Sequence, residues 1–188
     1  MKAIFSFLII CALAGVQLNG QTSGNVITDA ILLGYSAKKY TTVPVTDQQL
    51  DIILKCGIRA PSANNRQPWK FTVIRDEPTV KEIITDALSG NVLIVISGLV
   101  SEKDGSTPLF DCGLATESMF VAAGGLGLGA RIYGSPVAKV TTNRDAYEIP
   151  AGYKPVMVLR LGNIDKGVDA VSGASPRKAQ AEVVNFKK

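Results

Sequence analysis

Ten consecutive residues, 60–69, hold the side chains with the greatest capacity for chemistry in this sequence. Ser62, Asn65 and Gln67 offer hydroxyl and carboxamide groups that both donate and accept hydrogen bonds. Pro61 fixes the backbone path that leads to them. Such a set suits a planar ring with heteroatoms along its edge. The alternative is an Asx-type turn stopped by a proline, which would explain any three of these residues but not all of them.

The sequence contains no histidine, which excludes Ser-His-Asp and Cys-His catalytic sites and the common zinc sites. An enzyme of this composition takes its chemistry from a bound cofactor, which the protein binds, orients and tunes. We therefore expect no catalytic side chain and no metal site. The net charge of +4 is spread over scattered lysines and arginines without a basic run, so no nucleic-acid partner is predicted.

A helix and a strand position the 60–69 segment. Thr46 and Gln49 form a capping box, and the apolar residues Leu50, Ile53 and Leu54 then follow at helical spacing. Pro61 ends this helix, and residues 69–75 alternate as a β-strand does. The segment is therefore predicted to be an irregular loop between a helix and a strand.

The other elements mix helices and strands without regular βαβ alternation. The fold class is therefore α+β, with one mainly antiparallel central sheet flanked by helices. A terminal strand on so short a chain suggests exchange with a partner subunit. Helices are predicted over residues 25–35, 79–88 and 111–123, strands over 92–97, 131–133, 155–161 and 181–186, and a loop over 167–174.

The glycine-rich stretch 124–129 contains a G-x-G-x-G string. A dinucleotide fingerprint requires a strand before the glycines and a helix after them, whereas here a helix precedes and a strand follows. We interpret the stretch as a helix terminus and a tight turn. Cys56 and Cys112 lie within helical patterns, which favours two buried thiols, while a disulfide between them stays open.

Residues 1–20 have the features of a secretory signal peptide. Lys2 precedes the apolar run 3–16, which is too short for a comfortable membrane span, and small residues suited to cleavage follow. We expect an exported, periplasmic or secreted protein whose residues 21–188 form a single domain with no stable membrane span. Lipidation at Cys11 is a minor alternative, because Ile10 stands where a small residue is required.

The string A-P-S-A-N-N-R-Q-P-W over residues 60–69 resembles the A-P-S-x-x-N-x-Q-P-W signature of FMN-dependent nitroreductases and matches each fixed position. The chain is thereby identified as a short, exported member of that family with a nitroreductase-like fold. The resemblance implies that FMN is the cofactor and that Pro61, Ser62, Asn65 and Gln67 contact it.

Further segments are similar to the family's other cofactor contacts. Ser36 and Lys38 correspond to its phosphate-binding R-S-x-R segment, in which Tyr35 replaces the first arginine. Asp111-Cys-Gly-Leu-Ala resembles the family's D-x-G-x-A helix, which leads to a flavin-contacting strand. By this resemblance the remaining predicted contacts are the backbone of Tyr133 and Gly134 at the flavin N5 edge, Asn91 at the ring, and Arg177 at the phosphate.

The family resemblance implies a homodimer with two FMN sites at the subunit interface. It also implies a ping-pong cycle in which NAD(P)H reduces the flavin and a small-molecule electron acceptor, a nitroaromatic, quinone or similar oxidant, reoxidises it. Many relatives insert covering helices where this chain has only a short link between residues 97 and 111, so we expect an open pocket. Two alternatives are an exported flavin-binding or flavin-handling protein without reductase turnover and a structural domain without a cofactor.

Overall fold

A four-stranded antiparallel sheet forms the centre of the computed structural model, which describes residues 23–103, 105–165 and 176–187. The strands follow the order β1-β2-β4-β3 across the sheet. The predicted α+β class and antiparallel sheet are confirmed. The strands are β1 (Trp69–Ile74), β2 (Val92–Leu99), β3 (Gly129–Tyr133) and β4 (Tyr153–Gly162).

Helices cover both faces of the sheet. Along β2, Val92, Ile94 and Ile96 pack on the face covered by the second and fourth helices, whereas Leu93 and Val95 pack on the opposite face. Two hydrophobic cores therefore share one central strand. The helices are α1 (Val26–Leu32), α2 (Asp47–Ile58), α3 (Glu77–Ile83), α4 (Leu109–Gly125), α5 (Val137–Thr142) and α6 (Gln180–Val183).

Helix α2 begins at the predicted capping box. The Gln49 amide donates to Thr46 Oγ1 at 3.2 Å, and the Thr46 amide donates to Gln49 Oε1 at 3.0 Å. Near the end of α2, a Cβ on Gly57 would lie 2.7 Å from Met119 Cγ of α4, so glycine permits the close approach of these helices. The loop after α2 is thereby brought to the start of α4.

Two predicted helical regions differ from the structure. The helix expected over residues 79–88 occupies Glu77–Ile83, because Asp76 caps it by accepting from the Thr79 amide at 3.0 Å. Pro78 in its first turn also favours this earlier start. Helix α5 had no predicted counterpart, since its six residues are too few to show a helical period.

The strand predicted over residues 181–186 is wrong in this structure, where Gln180–Val183 forms a helical turn. A strand needs a neighbouring edge, and no strand pairing involves these residues in the described part of the chain. The turn instead satisfies its backbone locally, with the Val184 amide donating to the Gln180 carbonyl at 2.9 Å. The predicted loop over 167–174 lies outside the described residues.

The glycine-rich stretch is a helix terminus followed by a turn, as predicted. Helix α4 ends at Gly125, Gly127 turns the chain with a φ of +77°, and β3 begins at Gly129. The two cysteines of the described chain, half-buried Cys56 and buried Cys112, are both free thiols. Across the described ranges, none of the helices combines the length and apolar character that crossing a membrane requires.

Candidate functional site

The loop between α2 and β1 has an unusual backbone. Asn64, Asn65 and Gln67 adopt φ values of 52°, 54° and 49°, in the left-handed region that favours glycine. Each such residue costs of order 1 kcal/mol or more, and this strain persists only where surrounding contacts enforce it. Three strained residues within four positions mark this loop as a candidate functional site.

Two hydrogen bonds hold the strained loop. The Gln67 amide donates to Ser62 Oγ at 2.9 Å, which closes the loop on itself. The Ala63 amide donates to Asp111 Oδ1 at 3.1 Å, and this carboxylate is buried in the first turn of α4. Asp111 was not predicted as a site residue, although an acidic residue at a helix N-terminus is a recognisable signal.

The carboxamides of the loop lie at the surface. Asn65 and Gln67 are both exposed, and Gln67 Nε2 donates to Asn65 Oδ1 at 3.1 Å, so the two side chains stand together. Pro61 is also exposed, while Ser62 is half-buried because its hydroxyl faces the loop backbone. The loop therefore presents paired donors and acceptors on a rigid support.

A second group of predicted residues lies beside β3. The Ala37 amide donates to the Ala130 carbonyl at 3.0 Å, which fixes the segment that carries exposed Ser36 and Lys38. Gly134 follows the end of β3 and is exposed, and a Cβ added there would meet no atom within 4 Å. This second group combines a hydroxyl, a cation and an open stretch of backbone.

The sheet separates these two groups. The loop joins β1 at Trp69, which pairs with Gly98 near one end of β2. The Ser36 segment lies beside Ala130 of β3, which pairs with Leu161 of β4, and Leu161 in turn pairs with Val92 at the other end of β2. Trp69 and Ala130 are therefore separated by six residues along the strand direction and by three strand spacings across the sheet, a distance of about 25 Å. The loop and the Ser36–Lys38 segment of one chain therefore lie at opposite edges of the sheet.

Two other predicted residues take different positions. Asn91 is 3% exposed, and its Oδ1 accepts hydrogen bonds from the Leu88 amide and from Arg160 Nε, both at 3.0 Å. Its Nδ2 is buried without a hydrogen-bond partner in the described residues, so the predicted contact of Asn91 with the cofactor stays a prediction. Arg177 is exposed just before α6.

The structure reveals a buried charge that sequence reasoning did not select. Arg160 is 1% exposed on β4 and contacts the Asp86 carboxylate, the Tyr133 hydroxyl and the Tyr40 ring. The sequence signal for it was an arginine within an otherwise apolar strand. Arginine is almost never fully buried without partners, so such a position indicates a buried polar network.

The described residues hold no metal-binding cluster, and the buried thiol of Cys112 is not activated. They contain no group of three or more cysteine, aspartate or glutamate side chains placed to bind a metal ion. Burial, with a smaller contribution from the Asp111 charge, raises the pKa of the Cys112 thiol to about 11. A thiol with so high a pKa is a poor nucleophile at neutral pH.

This chain is similar in sequence to known proteins. Residues 35–95, which include both the Ser36 segment and the strained loop, match the family described as "Nitroreductase family". A Methanothermobacter thermautotrophicus protein provisionally named NADH dehydrogenase/NAD(P)H nitroreductase is 30% identical over 158 residues, which cover 78% of this chain and 82% of the relative.

Solved structures share the fold. A provisionally named nitroreductase from Desulfovibrio desulfuricans, in complex with FMN, is 27% identical with a TM-score of 0.72, covering 87% of this chain and 98% of that chain. A nitroreductase with bound FMN from Desulfitobacterium hafniense is 18% identical with a TM-score of 0.71, covering 87% and 99%. The chain therefore belongs to the nitroreductase family of oxidoreductases.

Proposed function

We propose that this protein is an FMN-dependent oxidoreductase that takes electrons from NAD(P)H and reduces small oxidants such as nitroaromatics or quinones in a ping-pong cycle. The observation that carries this proposal is the strained loop 62–67. Its left-handed residues and its bond to buried Asp111 fix the backbone that carries two exposed carboxamides, which hydrogen-bond to each other. A preorganised polar edge of this kind suits a planar, heteroatom-rich ring.

The residues at the surface fit the chemistry of FMN. The exposed carboxamides of Asn65 and Gln67 can pair with the polar edge of the ring system. Ser36 and Lys38 supply a hydroxyl and a cation for a phosphate, and open space above Gly134 permits close backbone approach. We propose Pro61, Ser62, Asn91, Tyr133 and Arg177 as further members of the site.

Bound FMN would supply hydride transfer, which requires alignment and electrostatics more than a proton-transferring side chain. The protein's own contribution is then to hold the ring edge, bind the phosphate and keep the reacting face accessible. This division of roles agrees with the absence of histidine from the sequence and with the inert Cys112 thiol.

We further propose that two copies of the chain complete each site. The separation of about 25 Å between the loop and the Ser36 segment favours contributions from different subunits. Large apolar side chains are also exposed, and association of two chains could cover some of them. These side chains include Val26 (83% exposed), Ile27 (72%), Leu109 (62%), Phe110 (78%) and Phe186 (74%).

The decisive experiment is spectroscopic. The purified protein is expected to absorb in the visible range of a flavin, and the chromophore released on denaturation should be FMN. Anaerobic addition of NADH or NADPH should bleach that absorbance. A flavin that persists with both donors would favour a binding protein without turnover, and a colourless protein that takes up no added FMN would refute the proposal.

We propose that the site accepts a broad range of oxidants, because β2 and α4 are joined without an intervening helix in the described residues. Bulky and small nitroaromatics should therefore both be reduced in steady-state assays. Failure to reduce even small nitroaromatics, with quinones also inert, would contradict this proposal.

Export remains part of the proposed role. We propose that residues 1–20 are a signal peptide, that the protein acts outside the cytoplasm, and that residues 21–188 form one domain. Nicotinamide nucleotides are scarce outside the cytoplasm, so another donor is compatible with this location. Mass spectrometry of the protein recovered from extracytoplasmic fractions should give a chain beginning near Gln21, and an intact Met1 would contradict export.

A further inference from the structure

Arg160 connects the two segments proposed to hold the FMN phosphate and the flavin edge. Its guanidinium carbon lies 4.0 Å from the centre of the Tyr40 ring, two residues after Lys38. Its Nη1 lies 3.4 Å from the hydroxyl of Tyr133, which immediately precedes Gly134. One buried side chain therefore touches an anchor of each segment.

The surrounding contacts fix this guanidinium in a single orientation. Arg160 Nε donates to Asn91 Oδ1 at 3.0 Å, Nη1 donates to Asp86 Oδ1 at 3.1 Å, and Nη2 donates to the Asp86 carbonyl at 3.0 Å. The planar fork of arginine makes these bonds together, which the ammonium group of lysine cannot reproduce. The network is buried at Arg160 but open at Asp86, whose side chain is 68% exposed.

Tyr40 is seated on the sheet by glycines as well as by Arg160. A Cβ on Gly162 would lie 2.7 Å from the Tyr40 ring, so the ring occupies space that a larger residue would fill. The Tyr40 hydroxyl lies 3.4 Å from the Ala37 carbonyl, between Ser36 and Lys38. A shift of the Tyr40 ring would therefore move the segment that carries both polar residues.

We propose that Arg160 is a positioning residue that holds Tyr40 and Tyr133 and thereby aligns the Ser36–Lys38 segment with the Tyr133–Gly134 edge. This inference rests on the proposed function, since it assigns the two segments to one FMN. The role differs from that of a core residue, because an apolar side chain could fill the same volume without fixing either tyrosine.

The test compares Arg160→Lys with Arg144→Lys in the full protein. Arg144 is half-buried and donates to the Pro150 carbonyl at 2.6 Å, away from both segments, which makes it a matched control. We expect Arg160→Lys to raise the FMN dissociation constant about tenfold and to change the visible circular dichroism of bound FMN. Arg144→Lys should leave both unchanged, even if the two variants lose similar thermal stability.

A double-mutant cycle separates positioning from general destabilisation. If Arg160 aligns Ser36, adding Ser36→Ala to Arg160→Lys should weaken FMN binding less than Ser36→Ala does alone in the wild type. In the Arg144→Lys background the two effects should multiply. If Arg160→Lys does not fold, Asp86→Asn serves in the same cycle, because its exposed side chain can change without creating a cavity.

Unchanged FMN affinity in folded Arg160→Lys, or a purely multiplicative cycle, would overturn the positioning role while leaving the proposed function intact. For Asp86→Asn the same criteria apply. A wild-type protein that takes up no FMN would overturn the proposed function and this inference together.

Discussion

At the scale of single residues, the loop shows how local strain and side-chain chemistry are combined. Gln67 has a φ of 49°, and its backbone N–H donates the hydrogen bond to Ser62 Oγ, so this bond does not require the glutamine side chain. Its side chain adds only exposed hydrogen bonds to Asn65, from Nε2 to the Asn65 carbonyl and to Asn65 Oδ1. The fold therefore gains little from a glutamine here, whereas a planar ligand would gain a donor and an acceptor.

Replacing this glutamine should separate stability from binding. Gln67→Gly relieves the left-handed strain, so we expect the free energy of unfolding to rise by about 1 kcal/mol in urea titrations of the apo protein. The same change removes a proposed ligand contact, so FMN affinity should fall about tenfold. Both quantities can be measured on one preparation by fluorescence.

Gln48→Gly is the matched control. Gln48 is exposed within α2, where glycine is expected to lower the free energy of unfolding by about 1 kcal/mol and leave FMN affinity unchanged. A loss of stability in Gln67→Gly would mean that the left-handed conformation is not the one adopted in solution.

The residues that could be predicted are those whose types cluster in the sequence. Ser62, Asn65 and Gln67 occur together, and the structure places them in one loop. Asp111 and Arg160 act through partners distant in sequence, Ala63 and Tyr133, so the local signals around them did not reveal these contacts. The buried position of Asn91 likewise depends on its contact with Arg160 across the sheet.

At the scale of elements, prediction succeeded where local signals were complete. Helix α2 has both a capping box and an apolar face, and it begins where the sequence indicates. Helix α5 is only six residues long, so it depends on packing by Val140 against the sheet rather than on its own periodicity. The helical turn of α6 replaced a predicted strand because strand formation requires a pairing edge.

The segment after α5 is fixed to α3 by an interaction that should depend on pH. The Tyr147 hydroxyl donates to Glu82 Oε1 at 2.7 Å, and burial, with a smaller effect of Glu82, raises the pKa of Tyr147 to about 12. The hydrogen bond from Tyr147 and then that from Lys139 lower the pKa of Glu82. Each shift links protonation to folding.

We expect the stability advantage of the wild type over Tyr147→Phe to be greatest between the two titrations. As pH rises from about 10 to about 12, the unfolded chain releases the Tyr147 proton before the folded chain does, so this advantage should decrease. It should also decrease as pH falls below the usual glutamate range, because protonated Glu82 accepts a weaker bond. Urea unfolding midpoints of both proteins from pH 3 to 12 would measure the decrease at high pH and the decrease at low pH.

Glu82→Gln provides the control for this pair. In the Glu82→Gln background, the stability difference between chains without and with Tyr147→Phe should no longer decrease at low pH, because the carboxylate is absent. The decrease of this difference at high pH should remain, since burial is the larger cause of the raised pKa of Tyr147. A difference between wild type and Tyr147→Phe that stays constant across the whole range would contradict the interaction.

At the scale of the whole molecule, the sequence indicated candidate site residues but not their distribution over the sheet. The order β1-β2-β4-β3 places the loop beside one edge strand and the Ser36 segment beside the other. This arrangement follows from long-range strand pairing, which local patterns do not encode. It also divides the predicted contacts into two groups at opposite edges of the sheet, which under the proposed function would meet in a site shared by two chains.

Heterodimers of two defective chains would test that association directly. One chain carries Ser36→Ala and Lys38→Ala, and the other carries Asn65→Ala and Gln67→Ala, so each homodimer should bind FMN weakly. If each site takes its halves from different subunits, a heterodimer purified with two affinity tags has one intact site and one site with all four changes. It should retain about one tightly bound FMN per dimer, against two in the wild type.

The opposite result has an equally clear meaning. If both groups of contacts came from the same chain, every site in the heterodimer would carry one defective half, and tight FMN binding would not return. A protein that stays monomeric at micromolar concentration would yield no heterodimer and would contradict the two-chain site. Because the two chains differ only in exposed loop and segment residues, their mixing does not depend on changes to the core. Counting FMN per dimer therefore decides whether the distance of about 25 Å across the sheet is spanned by a second copy of the chain.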